Sequence, residues 1–243
     1  MPDPAREAIA TLDTLISERF SCRGFQARHV PHGDILRVLE MAQKSASWCN
    51  SQPWEVIITE GAETNCFRDA LYARATSAGW ADQKSSKQAP DFPFPARYEG
   101  IYKTRQRETG WALYESVGVT YGDREASGRQ LLENFRLFGA PHVAIITTEQ
   151  DLGVYGAVDC GAYLANFMLA AQSLGIATIA QAAIAGMAGF VREYFDVPDN
   201  RLVLCGISFG YADPDHPANS FRTTREEVGR VARFVGAPAP RKE

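Results

Sequence analysis

The sequence predicts an α+β fold in which helix outweighs strand. Apolar residues recur at helical spacing in several long segments, as Ile9, Leu12, Ile16 and Phe20 do near the start. Short β-branched runs such as Trp54 to Thr59 and His142 to Thr148 are scattered along the chain. No repeat, low-complexity tract or clear composition break divides the 243 residues, so one domain over 1–243 is expected.

The elements follow in order. A first helix is expected over about 3–18, and the chain then leaves it through Arg19 to Phe25. A second helix starts near His32 to Asp34 and carries Ile35, Leu36, Val38, Leu39 and Ala42 inward. The loop 47–53 ends at Pro53, which cannot continue a helix, and the strand Trp54 to Thr59 follows. Helices are expected at about 62–78, 99–117 and 123–138. Between the first two, residues 80–98 are polar, with prolines interleaved with Phe92 and Phe94, and read as a packed excursion. A strand at 142–148, a helix at 158–174 and a strand at 176–181 come next. A short helix at 187–195, a strand at 201–211 and a terminal helix at 224–235 complete the chain.

With 45% apolar and 22% charged residues the chain can bury a sizeable core, which excludes a disordered or collagen-like protein. The formal net charge of −4 argues against a general nucleic-acid binder. Five cysteines, none in a C-x-x-C pair, argue for reduced thiols rather than a disulfide framework or zinc site. The N-terminus carries charges where a signal peptide needs an apolar run, so a cytoplasmic location is expected. From Cys160 to Val191 there is no charged residue, and 162–180 has the length of a membrane span. Asn166, Gln172, Ser173 and Gln181 interrupt it, and the reading preferred is a buried core or subunit-interface helix.

Some motifs fail. Gly206-Ile-Ser208-Phe-Gly210 matches a nucleophile elbow, but a turn rich in Asp and Pro follows where that chemistry needs a helix. A strand with small residues for close packing fits better. His29 and His32 have no third ligand nearby, and neither a dinucleotide-binding glycine motif nor a P-loop is present.

Other clusters hold. In an extended segment Arg19, Ser21 and Arg23 project to one side, which suits an anion such as phosphate and equally suits a solvated surface strand. Ser47, Asn50 and Gln52 can serve a planar heterocycle or simply cap a turn. Arg222 and Arg225 offer a second cationic pair or a solvated helix start.

Taken together, Arg19-x-Ser21-x-Arg23-x-Phe25 and Ser47-x-x-Asn50-x-Gln52-Pro53-Trp54 resemble the N-terminal signature of the FMN-dependent nitroreductase family. The resemblance continues through Phe138 to Pro141, Asp159 to Ala162, Leu174 to Thr178, Val197-Pro198, the strand to Tyr211, and Phe221 to Arg225. It covers nearly the whole chain outside about 80–120.

That resemblance implies a mixed central sheet flanked by helices, in an intertwined homodimer with two FMN sites at the interface. Arg19, Ser21 and Arg225, with Arg222, would hold the FMN phosphate, and Arg23 would stabilise the reduced ring. Phe20 and Ala46 count as cofactor-binding positions beside these motifs, and Ser47, Asn50 and Gln52 would contact the ring or ribityl chain. Asn134 or Arg136 would reach the flavin edge, with Gln181 and Ala182 near N5. The family often has a basic residue where Phe20 stands, a proline where Ala46 stands and Glu-Gly where Gln181-Ala182 stand. Trp48, bulkier than the small residue common there, would wall the substrate pocket and select flat aromatics. The excursion at about 80–121, with Trp80, Phe94, Tyr98 and Tyr121, would select substrate or pack locally.

The activity implied is ping-pong reduction of nitroaromatics to nitroso and hydroxylamino products, with NADH or NADPH as donor and no dedicated catalytic side chain. Other implied acceptors are a quinone, enal, halophenol or free flavin. A non-catalytic flavin-binding protein and a membrane-anchored protein are the rivals from other classes. Neither nucleic acid nor membrane is expected as a partner.

Overall fold

A computed structural model describes residues 4–77 and 90–236. Trp80 and the rest of 78–89 lie outside the described residues. Helices α1 (Pro4–Glu18) and α2 (His32–Ala42) precede β1 (Trp54–Thr59) and α3 (Ala62–Thr76). Then come α4 (Gly100–Ser116), α5 (Arg124–Leu132), β2 (His142–Glu149) and α6 (Gly153–Ser173). The chain continues through β3 (Ala177–Gln181), α7 (Ala182–Ala185), α8 (Ala188–Phe195), β4 (Arg201–Gly210) and α9 (Val228–Val231).

The strands pair antiparallel in the order β1-β2-β4-β3. Among the described residues the mixed character of the sheet comes down to one parallel bridge, Ser21 to Thr178, where the segment after α1 lies along β3. Side chains alternate across a strand. Ala144 and Ile146 of β2 therefore join α2 and the inner face of α6, through Val38, Tyr163 and Phe167. Val143 and Ile145 join α3 and α8, through Phe67, Leu71 and Val191. The sheet thus carries a core on each face, and β2 is buried along all but its last residue.

Four expectations shift. Leu36 points outward, 47% exposed, while Ile35, Val38 and Ala42 supply the buried stripe of α2. Helix α5 stops at Leu132, where successive i→i−3 turns through Leu137 replace its i→i−4 bonds, and positive φ at Leu137, Phe138 and Gly139 then turns the chain into β2. Helix α6 begins at Gly153, not near residue 158. Gly156 belongs inside it because a Cβ there would stand 2.6 Å from Thr148 Oγ1. Of the terminal helix expected over 224–235, only Val228–Val231 is helical. Val228 and Val231 are 71% and 75% exposed, so no packed face supports a longer helix.

The rejected nucleophile elbow lies within β4, with Ser208 fully buried. Its glycines are packing contacts, since a Cβ on Gly210 would meet Pro141 Cδ at 2.6 Å. His32 pairs with Glu60 and His29 meets the His142 ring edge-on, so the two histidines serve separate contacts.

Residues Gln150–Ser173 have the length and apolarity of a membrane crossing. One face of α6 nevertheless carries Asp159, Tyr163 and Phe167 into the core. Its opposite face leaves Val158 60% exposed, and α1 likewise leaves Ile9, Leu12 and Ile16 more than half exposed.

Candidate active site

The segment after α1 is tied down from both sides. Cys22 N–H donates to Thr178 O at 3.0 Å, and Arg23 N–H donates to Asn219 Oδ1 at 2.7 Å. The buried Asn219 amide also donates to Gly24 O and Asp213 O, both at 2.9 Å. One asparagine thus joins the first arginine segment to the last. Sequence reading passes over it, because Arg23 and Gly24 lie nearly two hundred residues away.

The result is a cavity of about 550 Å³ lined by Arg19, Phe20, Ser21, Arg23, Arg222 and Arg225, with Phe221 and Thr109. No Asp or Glu lines it, and none of the four arginines pairs with a carboxylate among the described residues. Aromatic rings support the guanidiniums: Arg222 lies 3.9 Å over Phe20 and Arg23 5.6 Å over Phe221. Burial, and then the charge of Arg225, hold Arg19 below the ordinary guanidinium range. Burial lowers Arg23 in the same way. Four converging cations and a hydroxyl without a counter-charge form a donor set suited to a phosphate.

This cavity adjoins another. A space of about 930 Å³ shares Thr109, Arg222, Thr223 and Arg225 with it and is flanked by the 2.6 Å ion pair Arg105–Glu226. Helix α4 of the excursion therefore supplies part of the wall. Arg23 also lines a third space, of about 490 Å³, with Val119, Glu133 and His216.

Asn134 and Gln181 come together. Gln181, 2% exposed, donates through Nε2 to Asn134 O at 2.8 Å and accepts from the Ser208 hydroxyl. Ala182 follows it, exposed, at the start of α7. Arg136 is turned away, lying 4.4 Å over the Tyr72 ring and donating to its hydroxyl.

The loop 46–52 forms a separate group on α6. Cys49, Asn50 and Gln52 take φ of +54°, +56° and +46°. Such left-handed backbone costs about 1 kcal/mol or more for a non-glycine residue and persists only when its surroundings fix it. Ser47 Oγ accepts Gln52 N–H at 3.0 Å, and Gln43 donates to Gln52 Oε1 at 3.0 Å. Asp159 Oδ2 accepts Trp48 N–H at 3.1 Å. Ala46 is exposed at the start of the loop, and Trp48, 62% exposed, meets Tyr155 edge-on. None of residues 46–52 lines the arginine cavity. Asp159 and Met168, which does line it, are about 14 Å apart along the axis of α6.

Phe94, Tyr98 and Tyr121 also lie away from that cavity. Phe94 packs near Gly186, Tyr98 is 44% exposed, and Tyr121, 88% exposed, sits beside Trp111 in a shallow hollow. Asp91 anchors the start of this segment by accepting Val203 N–H at 2.7 Å and pairing with Arg192.

The family model described as the nitroreductase family matches residues 16–211. A 4-nitrobenzoate reductase from Nocardioides sp. (strain LMS-CY) is 32% identical over 95% of this chain and 92% of its own length. Nitroreductase NfnB from Mycolicibacterium smegmatis is 32% identical over 95% of each chain. Among solved structures, the FMN-dependent nitroreductase NfnB from Mycobacterium smegmatis in complex with NADPH superposes with a TM-score of 0.85. It is 30% identical, and the match covers 94% of this chain and 99% of that one.

Proposed function

The chain belongs to the nitroreductase family, and from that premise we infer that it is an FMN-dependent NAD(P)H oxidoreductase that reduces nitroaromatic compounds. The observation that carries this reading is the acid-free cavity where Arg19, Arg23, Arg222 and Arg225 converge on Ser21. Arg19, Ser21, Arg222 and Arg225 would hold the FMN phosphate, with the Phe20 ring backing Arg222. Arg23, shared with the neighbouring cavity, would place its charge at the ring and favour electron uptake. Asn134, Gln181 and Ala182 would border the ring from the end of β3. When bound, FMN supplies the two-electron transfer from nicotinamide to nitro group. The protein's part is to bind, orient and exclude water.

The reading extends to assembly. Ser47, Asn50 and Gln52 would reach a flavin from a second copy of the chain, because in one chain they stand away from the arginine cavity along α6. The exposed apolar residues of α1 and the outer face of α6 supply the contact, so the working unit is a homodimer. Each copy is one domain over 1–243, with the excursion at about 80–121 beside the substrate site and Trp48, Phe94, Tyr98 and Tyr121 selecting among acceptors. The location is cytoplasmic, with no nucleic-acid or membrane partner.

The test is to purify the protein, record its visible spectrum and follow NADH and NADPH oxidation with a panel of acceptors in air. A yellow protein that turns over NAD(P)H with nitroaromatics is expected. A colourless protein that gains no flavin spectrum on adding FMN refutes the reading.

A further inference from the structure

The 46–52 loop poses a question that the arginine cavity does not answer: what holds three non-glycine residues in left-handed backbone beside an exposed tryptophan? Helix α6 supplies two groups one turn apart on the same face, Tyr155 and Asp159. Asp159, 9% exposed, accepts Trp48 N–H at 3.1 Å and the Ser51 hydroxyl at 3.4 Å through the same oxygen. Those two residues bracket Cys49 and Asn50, at φ +54° and +56°. Tyr155 meets the Trp48 ring edge-on at 4.5 Å between centroids. The carboxylate holds the backbone and the ring holds the side chain. Both rings stay more than half exposed, so a flat face remains for a ligand.

We propose that Asp159 is a positioning residue for acceptor choice: with Tyr155 it fixes Trp48 as the aromatic wall against which a flat nitroaromatic ring lies. The proposal rests on the nitroreductase reading above. Asp159 acts through Trp48 and touches neither acceptor nor cofactor. Stacking on an aromatic wall is worth about a tenfold change in affinity at the upper end.

The experiment uses the FMN-loaded protein with 4-nitrobenzoate and ferricyanide as acceptors, and compares Asp159→Ala, Asp159→Asn, Trp48→Ala and the double variant Asp159→Ala/Trp48→Ala. Asp159→Ala should raise the KM for 4-nitrobenzoate about tenfold with less than a twofold fall in kcat, and lower the preference for 4-nitrobenzoate over ferricyanide by a similar factor. Asp159→Asn keeps a carbonyl acceptor and should recover most of the loss. The double variant should be no worse than Trp48→Ala alone. Independently of activity, hydrogen exchange in the FMN-free protein should quicken at Trp48 in Asp159→Ala. An unchanged KM, equal losses with both acceptors, additive penalties, or unchanged exchange at Trp48 would overturn the proposal. A wild-type protein that binds no FMN fails the parent reading instead, which keeps the two failures apart.

Discussion

Arg225→Ala has opposite expected effects on the empty and the loaded protein. Its Nη1 already donates to Thr223 Oγ1 at 2.8 Å and Thr224 O at 2.9 Å, so the rest of the guanidinium is what remains for a ligand. Without FMN, Arg225 adds to the forces that lower Arg19, and its charge meets no carboxylate among the described residues. Removing it therefore relieves repulsion, and the unfolding temperature of the FMN-free protein should hold or rise. With FMN, the variant loses a charge-assisted hydrogen bond to phosphate, worth about 1.5–3 kcal/mol where the group is buried. Arg225 is exposed, so screening favours the lower end, about a tenfold rise in the FMN dissociation constant. The assay is titration of FMN-free protein by flavin fluorescence at two salt concentrations. The wild type should lose more affinity to salt than the variant. Unchanged FMN affinity, or an equal loss of stability with and without FMN, would mean that Arg225 does not hold the phosphate.

Three further outcomes concern the fold around the site. Buried His142 accepts Val30 N–H on Nε2 at 3.0 Å and donates from Nδ1 to Thr59 O, which requires the neutral ring. Burial lowers its pKa below the ordinary 6.5, outweighing the hydrogen bond to Thr59 O, which raises it. The unfolded chain therefore takes up a proton that the folded chain refuses, and His142's contribution is full above about 6.5 and lost as pH falls below it. A urea series across pH should show that decline, and His142→Gln should flatten it. Gly210→Ala would set a Cβ 2.6 Å from Pro141 Cδ, in a ring that cannot turn aside, and should cost about 1–3 kcal/mol in the same denaturation assay. Gln181→Glu turns a carboxylate oxygen toward Asn134 O, where Nε2 now donates. A loss of about 1–3 kcal/mol at neutral pH, partly recovered on acidification, is expected.

The strands were legible because β-branched runs such as Val143 to Thr148 have few other uses, and their ends matched closely. The start of α6 was not, because Gly153 and Gly156 read as breakers until Thr148 is seen to need the space beside Gly156. The C-terminal helix was overdrawn because helical spacing shows an apolar face without showing what it packs on. Of the candidate site, the arginines were readable as alternating cations, and the structure brings 19, 23, 222 and 225 to one cavity. Asn219 and the link from Asn134 through Gln181 to Ser208 were hidden, since each joins residues far apart in sequence. Asp159 did leave a signal: it is the last acid before the long uncharged run.

If the arginine cavity holds a redox-active flavin, as proposed, that flavin passes electrons from a nicotinamide to a nitroaromatic. The direct measurement is an anaerobic titration of the purified, FMN-loaded protein followed by its visible spectrum. NADPH or NADH should bleach the flavin band at a stoichiometric end point, and 4-nitrobenzoate added afterwards should restore it. A flavin band that neither nucleotide bleaches, or that stays bleached when any nitroaromatic is added, would contradict the account.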